Sequence, residues 1–232
     1  ISNKVAKGLN IRGLLNLQLA VKDGDVYMIE ANPRASRTVP FVSKAIGVPL
    51  AKIATKVMLG RSLKELGCVG VARYDHVAVK ASVFPFLKLP GVDSILGPEM
   101  RSTGEVMGIA ETFDAACYKA LISAGLKLPS CGGVYITVSD ADKPQILDIA
   151  RELQDMGFCI YATKGTSTFL RERGLQTTTV YTISQKMAPD ALGLMRGGDI
   201  NLIINTPSEA SGARRDGYMM RRLAVELEIP FL

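Results

Sequence analysis

YMIEANPRASRTVP, residues 27–40, places a carboxylate (Glu30), an amide (Asn32) and two guanidiniums (Arg34 and Arg37) within eight positions. The residues before it, Val26–Ile29, are β-branched and aromatic and predict a strand. Asn32-Pro33 then ends that strand, because proline has no N–H for a ladder and restricts the residue before it. A carboxylate and an amide oxygen at a strand end are hard-oxygen ligands, the kind that Mg²⁺ takes beside substrate phosphates. Arginines just beyond can meet those phosphates with forked donors. A strand end followed by a solvated, charged loop fits the same spacing, and both readings are open at this point.

The stretch upstream bears on the choice. LQLAV (17–21) and VYMIE (26–30) flank Lys22-Asp23-Gly24-Asp25, which predicts a hairpin. With a three-residue loop and Gly24 in the left-handed region, residues whose numbers sum to 48 face each other. Leu19 then meets Ile29 and Val21 meets Tyr27 on an apolar face. Gln18 meets Glu30 on the other face, so that an amide oxygen and a carboxylate converge. A two-residue loop is expected to put Gln18 and Glu30 on opposite faces.

NLQLAV, YMIEANPRASRTVPFVSKAIGVPLAKIATKVMLG and LGPEMRSTGEVMG together closely resemble the large subunit of carbamoyl phosphate synthetases. The resemblance is to the end of the second ATP-grasp half, which phosphorylates carbamate. It runs on into the C-terminal allosteric domain, which has the methylglyoxal-synthase-like fold. It implies an α/β chain in which residues 1–108 form the C-terminal portion of an ATP-grasp domain. Residues 109–130 would connect it to a doubly wound, parallel-sheet domain at 131–232. The resemblance further implies Mg²⁺ or Mn²⁺ held by Gln18, Glu30 and Asn32, with ATP and carbamate as substrates. Glu30, Asn32 and Arg37 would face the nucleotide, while Arg34 and Arg37 balance charge on the transferred phosphoryl group. A glutaminase small subunit is the implied partner of the whole enzyme.

Length and composition set wider bounds. A chain of 232 residues with 47% hydrophobic content has room for one or two buried cores. No apolar run reaches the length of a membrane span, and the N-terminus lacks the layout of a signal peptide. The four cysteines (Cys68, Cys117, Cys131, Cys159) have no CxxC spacing, and reduced, buried thiols in a cytoplasmic protein are expected. The single histidine, His76, leaves no His-based metal site or Ser-His-Asp triad and is expected on a strand or at the surface. Residues 1–128 carry 17 Lys/Arg against 10 Asp/Glu, and residues 129–232 carry 11 against 12, so the positive charge gathers near the phosphate chemistry. Without tryptophan, and with tyrosines not interleaved among lysines, the chain does not read as a nucleic-acid binder. Ile1–Gly13 is expected to enter in mid-domain and ELEIPFL to stop before the fold is complete, as in a piece of a longer subunit truncated at its C-terminus.

Val39–Leu59 has helical spacing, split at Gly47-Val48-Pro49 and closed by Gly60. Val77–Phe86 predicts a strand, and Leu96–Gly108 a glycine-punctuated loop leading into another. Some relatives in the family bind an activating amino acid through an acid just after the position of Lys80. Ala81 stands there, so that effector is not expected.

From Pro129-Ser130-Cys131-Gly132-Gly133 onward, strand and helix alternate. Strands are expected at 134–138, 158–162, 178–183 and 202–204, and helices at 143–156, 166–173, 189–195 and 213–227. This order predicts a parallel sheet with right-handed crossovers and ligands at the carboxyl ends of its strands. Polar residues collect at those ends: Ser139–Lys143, Thr163–Ser167, Thr182–Lys186 and Asn205–Ser208. Thr163–Ser167 offers an anion site at a helix N-terminus, although hydroxyls there also serve as ordinary caps. The resemblance decides for the anion site. It implies a phosphate-binding lysine and Thr-x-Gly-Thr turn at Lys143, Thr163, Gly165 and Thr166. Asn205, Thr206 and Ser208 would face the sugar or base of a nucleotide monophosphate effector of the UMP or IMP type. The bacterial pattern has a second lysine where this chain has Thr182, with Lys186 nearby. The aspartate and histidine of a true methylglyoxal synthase are missing, so the domain reads as a sensor rather than a lyase.

Overall fold

A computed structural model describes residues 1–70, 74–86, 94–95, 103–206 and 213–232. The chain divides into two compact units, one of residues 1–81 with 107–120 and the other of 82–106 with 121–232.

In the first unit a short helix α1 (Ser2–Gly8) precedes the antiparallel strands β1 (Asn16–Lys22) and β2 (Asp25–Asn32). Asp23 and Gly24, at φ 53° and 86°, form a two-residue turn, the left-handed type that matches strand twist. Two helices follow, α2 (Thr38–Ile46) and α3 (Leu50–Met58). They break where expected: Gly47 takes the left-handed conformation as the cap of α2, and Pro49 caps α3. His76 fastens this region by bonding its Nε2 to the Ala45 carbonyl at 2.7 Å. A two-stranded sheet pairs β3 (Val77–Val83) with β4 (Gly104–Ala110), and α4 (Phe113–Ser123) comes next. Gly108 lets β4 lie close against α4, because a Cβ there would run into the Ala116 carbonyl. Among the described residues of this unit the buried hydrophobics are Ala45, Ala54, Ala116 and Ala120, so its helices pack through alanines. Of the expected loop Leu96–Gly108, residues 96–102 lie outside the described residues.

The second unit is built on four parallel strands, β5 (Gly133–Thr137), β6 (Cys159–Thr163), β7 (Thr178–Val180) and β8 (Leu202–Asn205), in the order β7-β6-β5-β8. The helices between and after them are α5 (Lys143–Asp155), α6 (Lys164–Arg171), α7 (Ala191–Gly197) and α8 (Ala213–Glu226). Alternation along β5 explains why both sheet faces are covered. Val134 and Ile136 join Ile146 and Ala150 of α5 and Leu170 of α6 in one core. Tyr135, between them, turns to Leu192 and Met195 of α7 and Met220 and Ala224 of α8. The doubly wound parallel sheet read from the sequence is therefore the fold. The chain's last residues lie along β8, with Leu232 N donating to the Ile203 carbonyl at 2.9 Å.

Three sequence expectations are corrected. The strand expected over 178–183 ends at Val180, because Tyr181 N turns to the Pro189 carbonyl and a 3-10 turn (Ile183–Gln185) takes over. Within that turn Thr182 and Gln185 cap each other reciprocally. The cysteines are free as expected but not buried: Cys131 and Cys159 are exposed, at or just before the open starts of strands. The third correction concerns the hairpin.

Candidate functional site

The turn has two residues, so pairing starts as Lys22↔Asp25, Val21↔Val26, Ala20↔Tyr27 and Leu19↔Met28. Leu19 therefore does not meet Ile29, nor Val21 Tyr27, and the expected apolar face is solvent-exposed, with Val21 and Ile29 open to solvent. Beyond Leu19 the register shifts. Ile29 is the extra residue of a β-bulge, after which Gln18↔Glu30, Leu17↔Ala31 and Asn16↔Asn32 are partners. Gln18 and Glu30 thus end up opposite each other despite the shorter turn.

Asn32 Nδ2 donates to Glu30 Oε1 at 2.8 Å, which steers the carboxylate toward the amide. Asn16, missed in the sequence reading, completes the row, because β1 alternation puts Asn16 and Gln18 on one face and register sets Asn16 against Asn32. Extending the pairing sum two residues past Gln18 would have found it. Among the described residues no three His, Cys, Asp or Glu side chains cluster as a metal site. The hairpin's donor set is one carboxylate and three amides, all hard oxygens, which suits Mg²⁺ or Mn²⁺ more than a softer metal. Just after Asn32, the Arg34 backbone N bonds the Asn32 carbonyl at 2.9 Å, and its Nη1 donates to the Ala35 carbonyl at 3.0 Å. Arg37 is the N-cap residue of α2, exposed and at helical φ and ψ.

At the carboxyl edge of the second unit's sheet, Lys143 at the start of α5 reaches the first turn of α6. Its Nζ lies 3.3 Å from where a Cβ on residue 165 would stand, so Gly165 makes room for the ammonium. Thr163, extended at φ −60° and ψ 155°, is the N-cap of α6, and its hydroxyl donates to Thr166 Oγ1 at 3.3 Å. Thr166 is buried, and Ser167 beside it spends its hydroxyl on Thr177 and Thr179 at 2.7 and 2.9 Å. Lys143, Thr163, Gly165 and Thr166 thus come together.

Asn205 and Thr206 leave β8 on the opposite flank of β5. Thr206 Oγ1 accepts from Ser139 N at 2.8 Å and, together with Ser139 Oγ at 2.6 Å, bonds Asp142. These bonds, Ser139 first, hold the Asp142 carboxyl below its usual range. Asn205 N is bonded to the Leu232 carbonyl at 2.9 Å. Ser208 lies outside the described residues. Thr182, in place of a lysine, caps its 3-10 turn, and Lys186 ends that turn with φ 53°. Asp216 of α8 anchors the same turn by accepting from Ser184 N and Oγ at 3.1 and 2.7 Å. Burial, foremost, pushes the nearby Tyr135 phenol well above its ordinary value.

Two family models match the chain. "Carbamoyl-phosphate synthase L chain, ATP binding domain" covers residues 1–66, and "MGS-like domain" covers 145–232. Among curated relatives, the "carbamoyl phosphate synthase large chain, C-terminal section" of Methanocaldococcus jannaschii is 53% identical over 99% of this chain and 38% of its own length. The protein of the same description from Methanopyrus kandleri is 52% identical over 98% of this chain and 43% of its own. The "carbamoyl phosphate synthase large chain" of Archaeoglobus fulgidus is 55% identical over 97% of this chain and 21% of its own. The chain therefore spans less than half the length of these relatives. No helix among the described residues is long and apolar enough to cross a membrane.

Proposed function

We propose a function for a chain that belongs to the carbamoyl phosphate synthase large-chain family: it contributes the metal- and phosphate-facing hairpin of a carbamate-phosphorylating ATP site and a nucleotide-sensing domain. The observation that carries the first part is the Gln18–Glu30 pairing with Asn32 bonded to Glu30. Gln18, Glu30 and Asn32 would hold Mg²⁺ or Mn²⁺. The ion, when bound, supplies charge neutralisation to the phosphates of ATP. The chain's own part is positioning: the bulge aims one carboxylate and its amides together, and Arg34 and Arg37 supply planar cations for the phosphoryl group. Carbamate and a glutaminase small subunit belong to the whole enzyme, and the chain on its own is proposed to lack the activity.

The second part rests on Lys143 lying against Gly165, beside the Thr163–Thr166 hydroxyl pair at a helix N-terminus. The effector is a nucleotide monophosphate of the UMP or IMP type, with Asn205, Thr206 and Ser208 on its sugar or base side. Thr206 would have to leave its bonds to Ser139 and Asp142 to do so, which couples effector binding to the exits of β5 and β8. Coupling to the metal-binding hairpin would run through the segment from Phe86 to Gly108, most of which lies outside the described residues.

A thermal-shift titration with UMP, IMP and inorganic phosphate tests the sensor, with Lys143→Ala and Thr166→Ala in parallel. A ligand at a hundred times its dissociation constant adds about 2.7 kcal/mol. At this size each kcal/mol raises the melting temperature by roughly 2–4 °C. A nucleotide shift lost in both variants is the expected result. No shift with any of the three anions refutes the sensor.

A further inference from the structure

We propose that Asp140 is a built-in competitor for the anion that Lys143 binds, so that the site opens to a phosphate only as this carboxylate swings away. This inference rests on the sensor reading above and adds its regulation. The Lys143 side chain is only 16% exposed, and its ammonium already carries a partner: Asp140 Oδ1 lies 2.5 Å from Nζ. A carboxylate is a two-oxygen anion and stands on the lysine as a phosphate oxygen would.

The two acids of the Ser139–Asp142 turn are used differently. Asp142 is committed to the fold through Ser139 and Thr206. The Asp140 side chain is 94% exposed, so displacing it uncovers no buried surface. The turn itself is closed by Asp142 N donating to the Ser139 carbonyl at 3.1 Å, and Asp140 can swing without breaking that bond. A phosphate dianion outcompetes it by adding charge and by drawing on the N–H groups that open α6, whose Gly165 lies against Lys143 Nζ. Weak occupancy by an exposed acid sets a threshold without blocking the site, since exposed pairs are individually weak and salt-screened.

The test is an amide-NMR titration of the purified chain with inorganic phosphate at low salt, following the Gly165 N–H. Wild type, Asp140→Asn and Asp148→Asn are compared; Asp148 lies on α5 with Lys143, pairs with Arg151 and has an 83% exposed side chain, so its variant removes the same charge elsewhere. Asp140→Asn is expected to bind phosphate about two- to fivefold more tightly than wild type, with the gain shrinking as salt is added. Asp148→Asn should match wild type. Wild-type binding with no gain in Asp140→Asn, or an equal gain in both variants, overturns the inference and leaves the sensor standing. No phosphate response in any of the three proteins overturns both.

Discussion

Gln18 stands opposite Glu30 across the hairpin, although the two-residue turn Asp23-Gly24 would by itself set Gln18 against Ile29. One unpaired residue makes the difference, and it lies next to the carboxylate it re-aims. Bulges gather at such places because they redirect a side chain without dismantling the strand pair.

Asn16 sits in the same row as Gln18, opposite Asn32, and is expected to share in holding the metal. Mn²⁺ titration followed by electron paramagnetic resonance should show affinity lost by about tenfold in Asn16→Ala and by more in Glu30→Gln. Leu17→Ala, on the other face of β1, should bind Mn²⁺ like wild type. Equal behaviour of the residue 16 and residue 17 variants would exclude Asn16 from the site.

Gly133 opens β5 with the Asp199 carbonyl and the Tyr161 ring where its Cβ would be. Gly133→Ala is expected to lower stability in urea by about 1–3 kcal/mol or more, as overpacking against backbone does. Gly157, at φ 91° with open space around it, should lose only about 1 kcal/mol on the same change, from strain alone.

Ser167 is buried in α6 and ties that helix to Thr177, just before β7, and to Thr179 within it. Ser167→Ala strands two hydroxyls and should lower the urea midpoint by about 1–3 kcal/mol of stability, with the slope unchanged. Ser167→Thr, which keeps the oxygen but adds a methyl in a closed space, should fold less well than wild type while retaining the bonds.

Asp142 governs part of the acid limb of stability. Hydrogen bonds from Ser139 and Thr206 put its folded pKa below the ordinary 3.8, so its contribution is complete above that value and disappears as pH falls through the depressed one. Thermal melts from pH 5 downward should therefore fall less steeply in Asp142→Asn than in wild type. At the other end Tyr135, raised by burial, contributes stability that is present below pH 10 and drains away as pH climbs further. Parallel acid limbs in the two proteins would remove Asp142 from this role.

The second unit was legible because its sequence alternates at two periods at once. Val134, Tyr135 and Ile136 could only serve two cores if helices lay on both sides, and they do. The row proposed to hold the metal was legible in outline, since Glu30 and Asn32 share a face on any extended strand. What hid was the device that brings Gln18 into line: a bulge at Ile29 leaves no mark of composition, and YMIEAN reads as an unbroken strand. The end of β7 hid less well. Thr182-x-x-Gln185 is a capping-box spacing, and read as such it would have stopped the strand before Ile183. The exposure of Cys131 and Cys159 was invisible because apolar neighbours in sequence do not bury a residue at the open start of a strand.

An all-parallel sheet also dictates a schedule. No strand of β5–β8 finds its neighbour across a tight turn: residue 133 waits for residue 159, and residue 134 for residue 202. The shorter closures, residue 161 to 178 and residue 133 to 159, are entropically cheaper, so β5, β6 and β7 with α5 and α6 form the expected nucleus and β8 with α8 docks last. Asn205 and Thr206 arrive with that final piece, whereas Lys143 and Gly165 are already in place. The proposed effector pocket would thus be finished only in the closing moments of folding, and its nucleotide would recognise the mature protein and nothing earlier.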